Sequence, residues 1–280
     1  MNITQTEHSK AYIAFQVFKY SIYLLLCINV YVFFQQDYLA SSETFVNGVE
    51  LKDLVLAFTA SIDTFSWVVL LLVFELETYI LEDEDIRGIT KWSMNIFKSL
   101  CYAFIVYSAY GYISKLLVLL DYSPFVVENV CSLINSDYTY IAFLDDYLPI
   151  TDDVCLLLNE QKLYQITNTQ IITTLPVLEE AHRMAWVDIV NASNWLLIVA
   201  VLEIDVYLQL KGRFTGLPYK LSKIVKPILY GILFICAVIW GIDGEFIDFW
   251  DAFLWLLAFF FIEMNIFEWH SETENINVEV

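Results

Sequence analysis

The chain has 280 residues, of which 59% are hydrophobic and 17% aromatic, and it carries a formal net charge of −20. A soluble domain of this size is nearer half apolar and does not hold repeated apolar runs of about 20 residues. Composition therefore argues for a polytopic membrane protein, and the acidity argues against nucleic-acid binding.

The first apolar run covers residues 11–34. It is too long for a signal peptide and lacks a small-residue cleavage site, so it reads as a first transmembrane helix. It contains "FKYSIY", with Lys19 four residues before Tyr23. The second run, 53–80, contains "DTFSWVVLLLVFELETY", which sets Asp63, Trp67, Glu75, Glu77 and Tyr79 in one helix. An acidic "EDED" follows at 82–85. The third run, 96–118, opens on "FKSLCY", repeating the Lys spacing with Lys98 and Tyr102.

Residues 121–185 form a long insertion. Its stretch "SLINSDYTYIAFLDDYLPI" is too polar to span a bilayer. Cys131 and Cys155 are its two cysteines. A bridge between them is expected if the loop faces an oxidising compartment, although spacing alone does not fix a disulfide. "LPVLEEAHRMAW" at 175–186 predicts a helix with Pro176 in its first turn, running into the fourth span.

The fourth run, 186–209, holds "NASNWLLIVAVLEIDVY", with Asn191, Trp195, Glu203, Asp205 and Tyr207. The fifth, 227–241, is short and begins within "VKPILY", with Lys226 and Tyr230. The sixth, 250–269, holds "DAFLWLLAFFFIEMNIF", with Asp251, Trp255, Glu263, Asn265 and Phe267.

The even-numbered runs align without gaps as Asp/Asn, three residues, Trp, seven residues, Glu. The odd-numbered runs share Lys, three residues, Tyr. Two independent patterns at fixed spacing predict a repeated unit. The expected fold is all-α, with six transmembrane helices as three tandem hairpins. The repeats are 1–85, 86–210 with its insertion at 121–185, and 211–280. Ten of the 14 Lys and Arg lie at the N-terminus and in the second and fourth connections. The positive-inside rule then puts both termini in the cytoplasm and the insertion outside. Repeats sharing one orientation are related by an axis along the membrane normal, here a pseudo-three-fold axis.

Ionisable groups inside spans are costly and mark cavities or polar partners. Glu75, Glu203 and Glu263 are expected near the cytoplasmic ends, at the depth of Lys19, Lys98 and Lys226, with Tyr23, Tyr102 and Tyr230 nearby to donate hydroxyls. Together they would form a gating ring, or else pin the hairpins together. Asp63, Asn191 and Asp251 lie about 18 Å further out and would form an entrance. Trp67, Trp195 and Trp255 read as packing wedges or a constriction. Glu77, Asp205 and Asn265 read as solvated helix ends.

Glycine-rich phosphate loops, CxxC and HExxH are absent, and His8, His182 and His270 have no ligand spacing. No metal, cofactor or enzymatic activity is expected. Six helices in three hairpins resemble the mitochondrial carriers in architecture, but the Pro-x-acid-x-x-base motif of those carriers is missing. The expected function is transport or channelling of cations or protons in a plasma or bacterial inner membrane. The alternative is a non-catalytic scaffold of a larger membrane complex. Lipid is the expected environment, and a homo-oligomer fits both readings.

Overall fold

A computed structural model describes residues 3–45, 48–76, 88–143, 146–211 and 213–261. Most of it is helical, about 76%. Helices α1 (Ile3–Thr44), α2 (Leu54–Ala57), α3 (Thr59–Glu75) and α4 (Ile89–Leu120) come first. Strands β1 (Tyr122–Phe125), β2 (Thr139–Phe143) and β3 (Asp146–Pro149), helix α5 (Asp152–Asn159), and strands β4 (Leu163–Ile166) and β5 (Ile171–Thr174) follow. Helices α6 (Leu175–Leu210) and α7 (Leu217–Asp243) then lead to α8, helical over 246–261.

Among the described residues, four segments are long and apolar enough to cross a membrane: Ile13–Ser42, Ile89–Leu120, Leu175–Asp205 and Leu217–Asp243. They correspond to the first, third, fourth and fifth expected spans. Their outward surfaces carry exposed Phe104, Leu117, Ile204 and Phe234, among others. Such a density of bare apolar side chains suits hydrocarbon rather than water.

The expectation of an all-α chain is corrected. The insertion folds as a five-stranded sheet in the order β1-β4-β5-β2-β3. Only the β2/β5 pair is parallel. Both faces of the sheet are covered. Ile171 and Ile166 face the end of α4 and the start of α6 through Leu116, Leu119, Leu178 and Ala181. The neighbouring Ile172 and Leu163 face Val130, Cys155 and Leu158 on the other side. This alternation is the period of two that a strand imposes. Each strand is only four or five residues long, and none is apolar enough to register as a span. One turn signal was present: "QITNTQII" places Asn168 at φ 63 between β4 and β5, a backbone conformation that Asn adopts more readily than most residues. Cys131 and Cys155 are joined in a disulfide with a Cα–Cα distance of 5.0 Å, tying the turn before β2 to α5.

The chain divides into two units, Val30–Ser222 and a second made of Met1–Asn29 with Lys223–Val280. In the first, α3 packs along α4, and α4 along α6. The α3/α4 approach is close where Gly111 meets the fully buried Thr59; a β-carbon at Gly111 would lie 2.5 Å from the Thr59 hydroxyl oxygen. The α4/α6 register is antiparallel. His182 Nε2 lies 2.9 Å from the Leu119 carbonyl at the sheet end. Tyr102 donates to Glu203 at 2.7 Å at the other end. In the second unit, α8 runs against α1. Asn29 donates to Asp251 at 2.7 Å, and Phe261 meets Phe15 and Phe18 edge-on. Gly244, at φ 96, ends α7 by donating its N–H to the Trp240 carbonyl, a glycine stop that frees α8 to begin two residues later.

Candidate functional site

The repeated residues fall into two groups. Trp67, Trp195 and Trp255 are all buried, and Asp63, Asn191 and Asp251 are all half-buried. Within the first unit, Trp67 and Trp195 meet with ring centroids 6.0 Å apart. Packing between α3 and α6 thus joins two of the three aligned Trp residues there.

The charged tier does not repeat in this way. Glu75 is 2% exposed and Lys19 1% exposed. Glu203 is exposed, and Lys98 and Lys226 are half-buried. Tyr23 is buried, whereas Tyr102 and Tyr230 are half-buried. The Lys19 ammonium lies 5.1 Å from the Tyr20 ring centroid, within cation–π range. Glu263 and Glu77, with Tyr79, Asn265, Phe267 and the acidic 82–85, lie outside the described residues.

Asp205 overturns its expected role. It is 6% exposed and accepts a hydrogen bond from Ser222 of α7. A solvated helix end would leave it in water. Helix geometry explains the exchange with Glu203. From Trp195, eight residues turn the helix to roughly 80° on one side, and ten residues to roughly 80° on the other. The two acids therefore bracket the buried Trp direction. On α3 the buried side is that of Glu75; on α6 it is that of Asp205.

Two ionisable residues that sequence reasoning passed over complete the site. Asp37, on α1, is 5% exposed. Its Oδ2 accepts from the Ser61 backbone N–H at 2.8 Å and the Ser61 hydroxyl at 2.6 Å. Ser61 is in the first turn of α3, where backbone N–H groups lack helical partners and the helix dipole favours negative charge. Asp37 therefore caps α3 from a different helix. A signal for this was present: Lys19, Asn29, Asp37 and Ser41 fall on the same stripe of α1 as Ile22, Leu26 and Phe33, and all are buried. Polar residues at apolar positions of an amphipathic stripe are inward polar residues.

Lys115 is the second, half-buried near the end of α4. Asp37, Ser41, Lys115 and Tyr147 line one cleft at the sheet end, with apolar walls that include Leu56 and Ile171. The cleft is open to solvent and has a cavity volume of about 50 Å³. The chain matches no known protein family, no curated protein and no solved structure at significant similarity.

Between the cleft and Glu75, the buried face of α3 is rich in hydroxyls: Thr59, Ser61, Thr64 and Ser66. Facing helices add buried Ser108 and Asn194. Ser108 Oγ and Asn191 Oδ1 are buried without a hydrogen-bond partner among the described residues. Orphaned buried polar atoms are uncommon and mark positions where polar guests or water are accommodated. Among the described residues no cluster of His, Cys, Asp and Glu has metal-binding geometry.

Proposed function

We propose that this protein moves protons or small cations across a membrane, with the buried polar face of α3 lining the route. The observation that carries the reading is Glu75, a carboxylate 2% exposed within an apolar helix. Withdrawing such a group from water costs several kcal/mol even when it is partnered. A helix that serves only as an anchor has no use for that expense. Asp37 at the opposite end of α3, with hydroxyl side chains between, supplies the polar groups that a moving cation or proton exchanges among.

The same reading takes the chain as six spans in three hairpins about a pseudo-three-fold axis, with both termini cytoplasmic. Support comes from the four long apolar helices, the aligned sequence patterns and the distribution of Lys and Arg. In this orientation the sheet domain and its disulfide lie outside, where disulfides persist, and the net charge of −20 would concentrate cations near the cleft.

Purified protein in liposomes tests the proposal through proton and cation flux. Flux above that of protein-free vesicles, abolished in Glu75→Gln, is the expected result. Background flux from wild type under both proton and potassium gradients refutes it.

A second reading is a non-catalytic scaffold in a larger membrane complex. It is favoured by the Trp67–Trp195 contact, a buried ring pair that packs α3 against α6. A stoichiometric complex surviving detergent extraction, with no flux from the isolated chain, would select this reading.

A further inference from the structure

We infer that the connection from α6 to α7 is a docking surface for anionic phospholipid headgroups. This goes beyond the transport reading and rests only on the chain lying in a membrane. Residues 206–242 hold five Lys and Arg (Lys211, Arg213, Lys220, Lys223 and Lys226) and no Asp or Glu, in a chain with 34 acidic residues and a net charge of −20. The basic stretch around the start of α4 differs, because the acidic 82–85 precedes Arg87, Lys91 and Lys98 there. Orientation in a membrane depends on Lys and Arg and hardly on acids, so it does not explain why acids are excluded from 206–242. An anionic partner at the membrane surface does explain it.

The connection holds its charges close to the end of α6. Arg213 donates its backbone N–H to the Leu208 carbonyl at 2.8 Å, and Ser222, early in α7, donates to Asp205 of α6. Phe214 and Tyr219 meet edge-on with ring centroids 5.6 Å apart. Lys211, Arg213 and Lys220 are all exposed on this short framework. The Lys211 ammonium lies 5.8 Å from the Tyr207 ring centroid, and a ring face does not occupy all the N–H groups of an ammonium. Asp205, the nearest acid in sequence, is buried. Apolar side chains share the surface: Leu217, Tyr219 and Leu221 are exposed as well. Leu217 and Leu221, four residues apart, lie on one face of α7. A soluble polyanion offers nothing to these side chains. A phospholipid offers its phosphate to the cations and its acyl chains to the leucines, with the tyrosine ring at headgroup level. Both α6 and α7 are long and apolar enough to cross a membrane, so their connection falls at a bilayer surface. The acidity of the rest of the chain does not cancel the attraction, because exposed charges further off than about 8 Å are largely screened at physiological salt.

The test is lipid retention by the full chain in a neutral detergent. Immobilised protein is equilibrated with micelles holding equal amounts of phosphatidylglycerol and phosphatidylcholine, then washed, and the bound lipids are quantified by mass spectrometry. Wild type is expected to retain phosphatidylglycerol over phosphatidylcholine by about tenfold or more, since each Lys or Arg at an anionic surface contributes roughly fivefold. Lys211→Gln, Arg213→Gln and Lys220→Gln combined are expected to lower that ratio about fivefold or more. All three side chains are exposed, so the combined variant keeps the fold. Lys162→Gln, at an exposed lysine of the sheet domain, is expected to leave the ratio unchanged, which separates this surface from net charge. Equal retention of the two lipids by wild type overturns the inference, as does a preference that the combined variant keeps or that Lys162→Gln loses equally. Displacement of the phosphatidylglycerol by inorganic phosphate would reassign the surface to a soluble anion and overturns it too. Micelles hold no gradient, so an absence of flux in liposomes leaves this inference standing, and equal lipid retention leaves the transport reading standing.

Discussion

At the residue scale, neighbouring acids in one motif have opposite fates. Glu203 is exposed with Tyr102 as donor, and Asp205, two residues on, is buried with Ser222. The motif was legible in the sequence, but the side of the helix that turned inward was not. Both acids lie about 80° from Trp195, and only packing against neighbouring helices chooses between them. Asp205→Ala is therefore expected to destabilise the protein by about 2–4 kcal/mol, because it strips the Ser222 hydroxyl of its buried acceptor. Glu203→Ala should cost under about 1 kcal/mol. Melting in detergent, followed by tryptophan fluorescence, checks the ranking. Asp37→Asn removes a charge-assisted cap on α3 and should cost about 1–3 kcal/mol in the same assay.

At the element scale, helices were read from the sequence far better than strands. A run of apolar residues long enough to cross a bilayer is a strong signal, and four such helices are present among the described residues. The continuity of α6 from Leu175 through the fourth span was likewise marked by Pro176 in its first turn. The sheet was missed because its strands are four or five residues long and mix tyrosine, threonine and aspartate with the apolar positions. Such stretches declare themselves only once paired. Their stability depends on the two apolar faces and the Cys131–Cys155 bridge, which closes a loop of 24 residues. Opening that loop should cost about 3–4 kcal/mol by loop entropy. Reduction, or Cys131→Ser with Cys155→Ser, is expected to expose the domain to trypsin at Lys162, which lies in the exposed turn before β4. The α4/α6 segments nearest the bilayer should stay protected. At the α3/α4 crossing, Gly111→Ala should cost about 1–3 kcal/mol, because Thr59 fills the space the methyl group needs.

At the scale of the whole molecule, membrane character was legible from composition, and the Trp repeat has equivalent burial in all three copies. The charged tier does not share that equivalence: buried Glu75 contrasts with exposed Glu203. The matching spacing at aligned positions did not ensure a common environment, because a helix rotation of a fraction of a turn is invisible in the spacing. A three-fold charged ring and a route along α3 consequently make different demands on Glu203. The most direct measurement is proton and cation flux in liposomes for wild type, Glu75→Gln and Glu203→Gln, with equal incorporation verified. Flux in wild type and Glu203→Gln with loss in Glu75→Gln is the expected result. Background flux in wild type, or unchanged flux in Glu75→Gln, would contradict the assignment of Glu75 as the carboxylate on which transport depends.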